Sequence, residues 1–260
     1  MNFQNIPRGD DRVKAAFVPK LDALVFADYS QVEYRLFAKY MNDMVGDSWA
    51  VEQFLAGLDF HVETAKKMLA AIGKEYTEGD RDYGKTGNFA AIYGGGVPTF
   101  QRQLGCDKST ARELADAFHE QYPLLGRSEW VRGRRRDPAP HTLNGQLAAN
   151  LRLNGCVRTL WGRELHPEED RKILNSLCQG GAADLIKLAM LNVEDQLVAA
   201  DCRSHLVLST HDELGFDCVE EEVSFILENV EDWMGDEQVE ATLPLEVDIK
   251  MSYTNWAEAK

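Results

Sequence analysis

Apolar residues recur along most of this chain with the period of an α-helix. From Val32 onward the apolar positions Leu36, Phe37 and Tyr40 fall on one side of such a helix, because about 3.6 residues complete a turn. The same spacing predicts helices over four later segments: Trp49–Gly73, in two pieces broken near Gly57; Asp80–Tyr93; Ser109–Gln121, with Ser109 as its N-cap; and Asp170–Leu197, with a bend at Gly180–Gly181.

Two segments have the period of a β-strand instead. Leu21–Ala27 is a short apolar run typical of a buried strand. Leu206–Cys218 alternates apolar and polar residues on both sides of a tight centre, which predicts a hairpin. Arg132–Asn154 carries Pro138, Pro140 and Gly145 and has no clear period, so we expect a loop there. Helices with a small antiparallel sheet, and no regular alternation of strand and helix, predict an α+β fold.

The composition favours a soluble cytoplasmic protein. With 260 residues, 44% of them hydrophobic, the chain can build one large domain or two coupled ones. Its five cysteines are scattered and form no C-x-x-C pair, as is typical of a reducing compartment. The first residues are polar, and no apolar run approaches the roughly 20 residues of a membrane span.

The charge gives a mixed indication of partners. A net charge of −15 argues against nucleic acid, because phosphate contacts need lysine and arginine. The segment "VRGRRR" is nevertheless a local basic cluster, while acidic residues collect in the last fifty positions. Both features could also be ordinary solvated surface.

Two aspartates stand at the ends of predicted strands. Asp28 follows the apolar run in "LVFADYSQVEYR", and Asp212 lies at the hairpin centre "THDEL", with Glu213 next to it. If strand and hairpin share one sheet, these carboxylates converge and two Mg²⁺ ions could bridge them for phosphoryl transfer. In the alternative, they are ordinary aspartates paired with arginine or lysine.

The segment Gly79–Thr86, "GDRDYGKT", matches the phosphate-loop pattern of NTP-hydrolysing proteins. That pattern requires an apolar strand before it, whereas the preceding residues are polar and charged. A P-loop-type NTPase therefore remains an alternative function, which predicts nucleotide hydrolysis.

The same segment also has helical spacing. Arg81, Lys85, Phe89 and Tyr93 recur every fourth residue and so share one helix face. Cations can hold a triphosphate, and aromatic rings can pack on a sugar or a base. The alternative is a surface salt-bridge face above a buried aromatic stripe. Glycines in this helix favour bending or close packing.

Taken together, these segments resemble the motifs of family A DNA polymerases. The first motif corresponds to "DYSQVEYR", the helix motif R-x-x-x-K-x-x-x-F-x-x-x-Y-G to "RDYGKTGNFAAIYG", and the motif H-D-E to "THDEL". Further matches are Arg171, Asn175 and Gln179, the segment "DFH" at Asp59–His61, and "QNIP" at Gln4–Pro7. The order and spacing agree over essentially the whole chain.

The resemblance implies a metal-dependent nucleotidyl transfer. Asp28 and Asp212, with the carbonyl of Tyr29, would hold two Mg²⁺ ions. Glu213 would lie beside them near the primer end. Lys85 would contact the triphosphate and assist proton transfer to pyrophosphate.

The resemblance also implies the residues that bind nucleotide and DNA. Gln31, His61 and Arg81 would contact the incoming triphosphate together with Lys85. Glu33 would be the steric gate against ribonucleotides, and Phe89 would sense the sugar 3′-OH and reject dideoxynucleotides. The remaining assignments are Tyr93, near the templating base, and Arg171, Asn175, Gln179 and His211, on the primer–template. The basic cluster Arg132, Arg134, Arg135 and Arg136 would grip the template strand or lie in a surface loop.

By this resemblance, residues 1–35 and 170–260 would form a palm and residues 36–169 the fingers of a phage or bacterial enzyme. Its partners would be primer–template DNA and dNTPs. Because the family pattern extends upstream of residue 1, we expect a fragment or a split gene, with a second polypeptide supplying the thumb and exonuclease regions. An alternative is a non-catalytic half that binds primer–template and needs such a partner.

Overall fold

The computed structural model describes residues 11–93, 95–127, 129–131 and 134–259. The helices in these residues are α1 (Asp11–Lys14), α2 (Val32–Val45), α3 (Trp49–Leu55), α4 (Phe60–Ala71), α5 (Arg81–Ile92), α6 (Val97–Leu104), α7 (Lys108–Gln121), α8 (Leu143–Asn154), α9 (Ile173–Ala199), α10 (Glu220–Trp233) and α11 (Glu237–Glu240). The strands are β1 (Ala23–Tyr29), β2 (Glu129–Val131), β3 (Arg134–Arg136), β4 (Val157–Arg158), β5 (Glu164–Leu165), β6 (His205–Thr210), β7 (Glu213–Cys218) and β8 (Val247–Ser252). The predicted α+β fold is confirmed.

The chain divides into two compact units. One falls within Met1–Val32 and Ala182–Lys260, and the other is Glu33–Gly181. In the described part of the chain, no helix combines the length and apolar character needed to cross a membrane.

The first unit is built on a four-stranded antiparallel sheet with the order β6-β7-β1-β8. The predicted strand and hairpin are confirmed, and β1 extends past Asp28 to Tyr29. Strand β1 lies between two neighbours, and Ala23–Ala27 is buried throughout, which explains its continuous apolar run. On one side Phe26 stacks on Trp256 with ring centroids 5.4 Å apart. Helix α10 also packs on β1.

The second unit is mainly helical, and its core depends on a close approach of α4 and α5. A Cβ atom on Gly84 would lie 1.8 Å from the carbonyl oxygen of His61, and one on Gly87 would lie 2.7 Å from Met68 Sδ. These glycines therefore serve close packing, one of the two roles that the sequence suggested. Aromatic rings fill the space nearby, with Phe54 stacked on Phe60 at 5.4 Å.

The expectation of a loop over Arg132–Asn154 is wrong for most of its described residues. Strand β3 pairs with β2, and helix α8 begins at Leu143. Thr142 is the N-cap of α8, and its Oγ1 accepts a hydrogen bond from Gly145 N at 3.3 Å. The prolines precede the helix, and its asparagines and glycine obscured the period because they are weak helix formers. Residues 132 and 133 lie outside the described residues, as does "QNIP".

Two helix boundaries also differ from the prediction. Asp107, not Ser109, caps α7, and its Oδ1 accepts hydrogen bonds from Ser109 N (2.7 Å) and Thr110 N (3.1 Å). An aspartate accepts two such bonds more readily than a serine does. Helix α9 is preceded by a 3₁₀ turn, Asp170–Lys172, and continues without interruption through Gly180–Gly181.

Candidate functional site

The acidic residues of the first unit meet at one end of the sheet. Asp28 in β1 lies opposite Glu213 in β7 and opposite Asp248 in β8. Asp212 occupies the turn before β7, and its carbonyl oxygen accepts a hydrogen bond from Tyr29 N at 3.1 Å. The prediction that strand and hairpin share one sheet is therefore confirmed, and their carboxylates lie close together.

Negative charge is concentrated around Asp28. Burial raises the pKa of Asp28 to about 7, with further contributions from the charges of Asp212, Glu213 and Asp248. Within the described residues, Asp28 Oδ1 is buried without a hydrogen-bond partner. Burial also raises the pKa of Glu213, although Lys14 and Lys250 oppose the rise.

The alternative in which these aspartates pair with arginine or lysine does not fit the structure. Neither Asp28 nor Asp212 forms an ion pair within the described part of the chain. In the same residues, no three His, Cys, Asp or Glu side chains form a complete metal-binding group. Mg²⁺ does not need one, because it is usually bound by one or two carboxylates plus water and substrate phosphates. A buried carboxylate oxygen without a donor, beside a second carboxylate, fits such an ion.

Residues beside the cluster hold unusual backbone conformations. Gln31 and His211 have φ values of 55° and 56°, in the left-handed region that non-glycine residues seldom adopt. Gln31 Oε1 is buried without a hydrogen-bond partner in the described chain, whereas the side chain of His211 is exposed. The Tyr29 hydroxyl donates to the carbonyl oxygen of Met234 at 2.5 Å, which fixes the strand end.

In the second unit, α5 presents the predicted row of cations and aromatic rings. Lys85 Nζ lies 6.0 Å from the centroid of Phe89, whose ring is 5.5 Å from that of Tyr93. Arg81 Nε pairs with Asp59 Oδ2 at 2.7 Å. Asp59 also caps α4, since its Oδ1 accepts hydrogen bonds from the backbone N–H groups of His61 and Val62. This face of α5 thus contains the Arg81–Asp59 ion pair, as the interpretation of a surface salt-bridge face expected, and a second cation, Lys85.

The P-loop interpretation of Gly79–Thr86 is wrong. In the described residues the preceding regular element is helix α4, which ends at Ala71, and no strand leads into this segment. Glu78–Asp80 forms a 3₁₀ turn, and Lys85 and Thr86 lie inside α5. The backbone N–H groups of a helix interior are already bonded and cannot cradle phosphates.

His61 is held in a buried polar environment between α4 and α5. Its Nδ1 lies 3.0 Å from Asn88 Nδ2, and the ring of Tyr34 meets it edge-on at 4.7 Å. Burial lowers the pKa of His61 to about 4, and the positive charges of Arg81 and Lys85 lower it further, against the opposing charge of Asp59. The imidazole is therefore neutral at physiological pH.

A chain of hydrogen bonds connects predicted residues from three separate segments. The Tyr93 hydroxyl donates to Glu33 Oε2 (3.3 Å) and accepts from Gln179 Nε2 (3.0 Å). Asn175 Nδ2 donates to Gln179 Oε1 at 3.4 Å. Arg171 does not join this chain, because its Nε pairs with Glu169 Oε2 at 2.6 Å on the surface.

Sequence reasoning missed three residues of these clusters. Asp248 lies on β8, whose alternation of Val247, Ile249 and Met251 with polar residues was an available signal. Asp59 was quoted in a motif without a role. Asn88 gave no signal, because an asparagine within a helical pattern does not indicate which side chain it bonds.

Comparisons with known proteins agree with this arrangement. The sequence model described as "DNA polymerase family A" matches residues 1–258. The DNA polymerase I of Lactococcus lactis subsp. lactis is 32% identical over 276 residues, which cover 100% of this chain and 29% of the relative. The DNA polymerase I of Chloroflexus aurantiacus is 31% identical, with 99% of this chain and 27% of the relative covered.

A solved structure is similar over nearly the whole chain. It is the POL domain of Pol1 from M. smegmatis in complex with DNA primer-template and dNTP, with a TM-score of 0.79 and 27% identity. The match covers 99% of this chain and 45% of that chain. Our chain spans less than a third of the length of the curated relatives described above. The family match over residues 1–258 shows that the chain belongs to DNA polymerase family A.

Proposed function

We propose that this chain carries out DNA-templated nucleotidyl transfer from a dNTP to a primer 3′-OH. The observation that carries the proposal is the uncompensated pair Asp28 and Asp212 at the sheet end of a family A chain. A buried carboxylate with a raised pKa and no cationic partner is typical of a functional site. The palm assigned to residues 1–35 and 170–260, and the fingers assigned to residues 36–169, remain part of this proposal.

Asp28 and Asp212, with the carbonyl oxygen of Tyr29, would hold two Mg²⁺ ions. When bound, these ions would neutralise charge on the reacting phosphate and favour ionisation of the 3′-OH. The residues themselves supply the negative charge and its orientation, since the bond from Tyr29 N to the Asp212 carbonyl fixes the two segments together. Glu213 would lie near the primer end.

The triphosphate would be bound by Arg81, Lys85, His61 and Gln31. The 3′-OH gives its proton to water, its oxygen forms a bond to the α-phosphorus, and the bond from that phosphorus to the oxygen bridging the α- and β-phosphates breaks. Pyrophosphate leaves, and the Lys85 ammonium group donates a proton to it. Arg81 would exchange its bond with Asp59 for one with phosphate, which the modest strength of a half-exposed ion pair permits.

Glu33 and Phe89 would select the sugar, and Tyr93 would lie near the templating base. The hydrogen bonds of Tyr93 to Glu33 and Gln179 support a shared role, because they hold three of the proposed residues together. Arg171, Asn175, Gln179 and His211 would contact the primer–template. Minor-groove acceptors occupy similar places in every base pair, so such contacts can test pairing without reading the sequence.

The test is primer extension on a recessed DNA duplex with dNTPs and Mg²⁺. Asp212→Ala should abolish extension, whereas Asp195→Ala, an exposed aspartate on α9, should extend like the parent chain. Extension that survives Asp212→Ala would overturn the assignment of the metal site. Fluorescence anisotropy measures binding of the same duplex and so distinguishes a loss of catalysis from a loss of DNA binding.

The proposal includes a second polypeptide with thumb and exonuclease regions, as the family resemblance of the motifs implies. If the chain alone binds duplex without extending it, the extension assay is repeated with an upstream fragment of a relative added. Extension that appears only in the mixture supports a split enzyme. DNA binding without synthesis in either assay supports a non-catalytic half.

A further inference from the structure

A buried polar network lies behind His61. Asn88 and Thr64 are 2% and 0% exposed, and His61 itself is 3% exposed. Asn88 Nδ2 lies 3.0 Å from His61 Nδ1, and the Thr64 hydroxyl lies 3.2 Å from Asn88 Oδ1. Gln121 Nε2 donates to Thr64 Oγ1 at 3.4 Å. Buried amides keep a fixed orientation when both ends are bonded, since an unmade bond there is costly.

The packing of helices α4 and α5 also holds this network in place. Asn88 is on α5 and His61 on α4, and Gly84 allows the two helices to approach so closely that a Cβ atom would overlap the His61 carbonyl. Asp59 caps α4 and thereby orients its first turn, which contains His61. The spacing between amide and imidazole is therefore a property of the helix pair.

The tautomer of His61 decides what this residue can bind. A neutral imidazole carries one N–H, and the nitrogen that accepts a hydrogen bond is the one without the proton. Within the described residues His61 Nε2 has no hydrogen-bond partner. A proton on Nε2 would make that nitrogen a donor, whereas a proton on Nδ1 would leave Nε2 as a lone pair that repels phosphate oxygen.

We propose that Asn88 is a positioning residue whose amide donates to His61 Nδ1 and so keeps the proton on Nε2, directed to a triphosphate oxygen. The inference rests on the proposed function, because the triphosphate is part of that proposal. The neutral state of His61 agrees with it: burial, with Arg81 and Lys85 nearby, lowers the pKa of the ring. The single Thr64 hydroxyl proton is shared between the Phe60 carbonyl oxygen at 2.9 Å and Asn88 Oδ1 at 3.2 Å, and the second contact agrees with this amide orientation.

The first experiment reads the tautomer directly. The chain is labelled with ¹⁵N-histidine, and long-range ¹H–¹⁵N spectra distinguish protonated from unprotonated ring nitrogens. His61→Gln identifies the signal of His61 among the six histidines. We expect a protonated Nε2 and an unprotonated Nδ1. A proton on Nδ1 in the parent chain would overturn the proposal. This result does not depend on polymerase activity, so it can be read even where primer extension fails.

The second experiment changes the amide to an acceptor. Asn88→Asp removes the donor to Nδ1 and should move the proton there, with KM for dATP raised about tenfold and kcat changed less than about threefold. Asn144→Asp is the matched control, because Asn144 is a part-buried amide of the same unit that bonds the Gly126 carbonyl and no histidine. It should leave both constants unchanged. Calorimetric binding of dATP with Mg²⁺ replaces KM where no extension occurs.

A double substitution separates positioning from a merely structural role. His61→Gln keeps an N–H donor near the place of Nε2 but has no tautomer. In that background Asn88→Asp should raise KM less than about twofold. An equal rise in both backgrounds would overturn the proposal, because Asn88 would then act through the packing of the helices alone.

Discussion

The acidic cluster of the sheet and the polar residues of α4 and α5 balance their charges in different ways. In the sheet, Asp28 has carboxylates around it, a raised pKa, and a buried oxygen for which the described part of the chain supplies no donor. In the helical unit, Arg81 already pairs with Asp59, and His61 already bonds Asn88.

This difference indicates how each region would respond to its ligand. A cluster of like charges is unfavourable until a cation arrives, so cation binding should also stabilise the fold. A group of paired residues is stable by itself, and a ligand must compete with the existing partners. Variants that reduce the charge of the acidic cluster test the first expectation. Variants that disturb the packing or pairing of α4 and α5 test the second.

Gly84→Ala should have the largest effect, because it disrupts the close packing of α4 against α5, on which the paired residues of these helices depend. Its Cβ would lie 1.8 Å from a backbone oxygen that cannot move without moving α4. We expect a loss of at least about 3 kcal/mol in the free energy of unfolding, measured by urea denaturation. Gly79→Ala is the control, since nothing lies within 4 Å of its Cβ. It should change stability by less than about 0.5 kcal/mol, and equal effects would contradict the packing argument.

Glu33→Ala should have the next largest effect and concerns function rather than stability. A steric gate acts by its size, so its removal should raise the ratio of kcat/KM for ribonucleotides to that for deoxynucleotides by about tenfold or more, or roughly 1.4 kcal/mol. Glu33→Gln keeps the size and removes the charge. The gate assignment requires discrimination in the Gln variant to stay within about threefold of the parent. If the Gln variant were as permissive as the Ala variant, charge and not size would select the sugar.

Asp28→Asn tests the uncompensated region and should stabilise the chain in the absence of divalent ions. The folded pKa of about 7 exceeds the ordinary value of 3.8, so the native state holds the proton longer than the unfolded state. Stability therefore falls as pH rises from about 4 to 7, and the whole penalty is present above pH 7. At pH 8 we expect a gain of about 1–2 kcal/mol in thermal denaturation, after discounting for solvent screening.

The matched control for this prediction is Asp248→Asn, because Asp248 is an exposed aspartate opposite Asp28 in the sheet. It should gain less than about 0.5 kcal/mol. Added Mg²⁺ should raise the melting temperature of the parent and leave Asp28→Asn unchanged. A melting temperature of Asp28→Asn at or below that of the parent at pH 8 would contradict the view that this cluster is electrostatically unfavourable.

The fold was predictable where one periodicity was strong. Continuous apolar residues predicted strand β1, and alternating apolar residues predicted the hairpin β6–β7. A four-residue spacing predicted α5. Helix α8 was missed because its asparagines and glycine obscured the period, and the Thr142 cap and the close approach of Gly145 to Ala139 leave no periodic signal. Strand β8 alternates visibly, but its place beside β1 depends on a long-range pairing.

The candidate site was predictable in its charged residues and not in their partners. Asp28 and Asp212 could be expected to meet because a strand and a hairpin commonly share a sheet. That the Asp59 carboxylate both caps α4 and holds Arg81 follows from the relative position of two helices, and no local pattern encodes it. The same is true of the amide of Asn88 against His61.

Asp59→Asn should have the smallest effect on stability, because it weakens a single half-exposed ion pair. Although burial opposes it, bonds from Arg81 and from the backbone of α4 hold the pKa of Asp59 below its ordinary value. Its contribution to stability is therefore present at neutral pH and lost as pH falls below about 4. The Arg81 and Asp59 side chains are 40% and 37% exposed, so we expect a loss of less than about 0.5 kcal/mol in thermal denaturation at pH 7.

Asp107→Asn is the control for this change, since Asp107 caps α7 by accepting two backbone N–H bonds, as Asp59 does for α4, and has no arginine partner among the described residues. The difference between the two variants isolates the ion pair with Arg81. If Arg81 must release Asp59 to bind phosphate, only Asp59→Asn should lower KM for dNTP, by about twofold to threefold. A raised KM in that variant would mean that Asp59 orients Arg81 for phosphate instead of competing with it, and that the paired region is already arranged for its ligand.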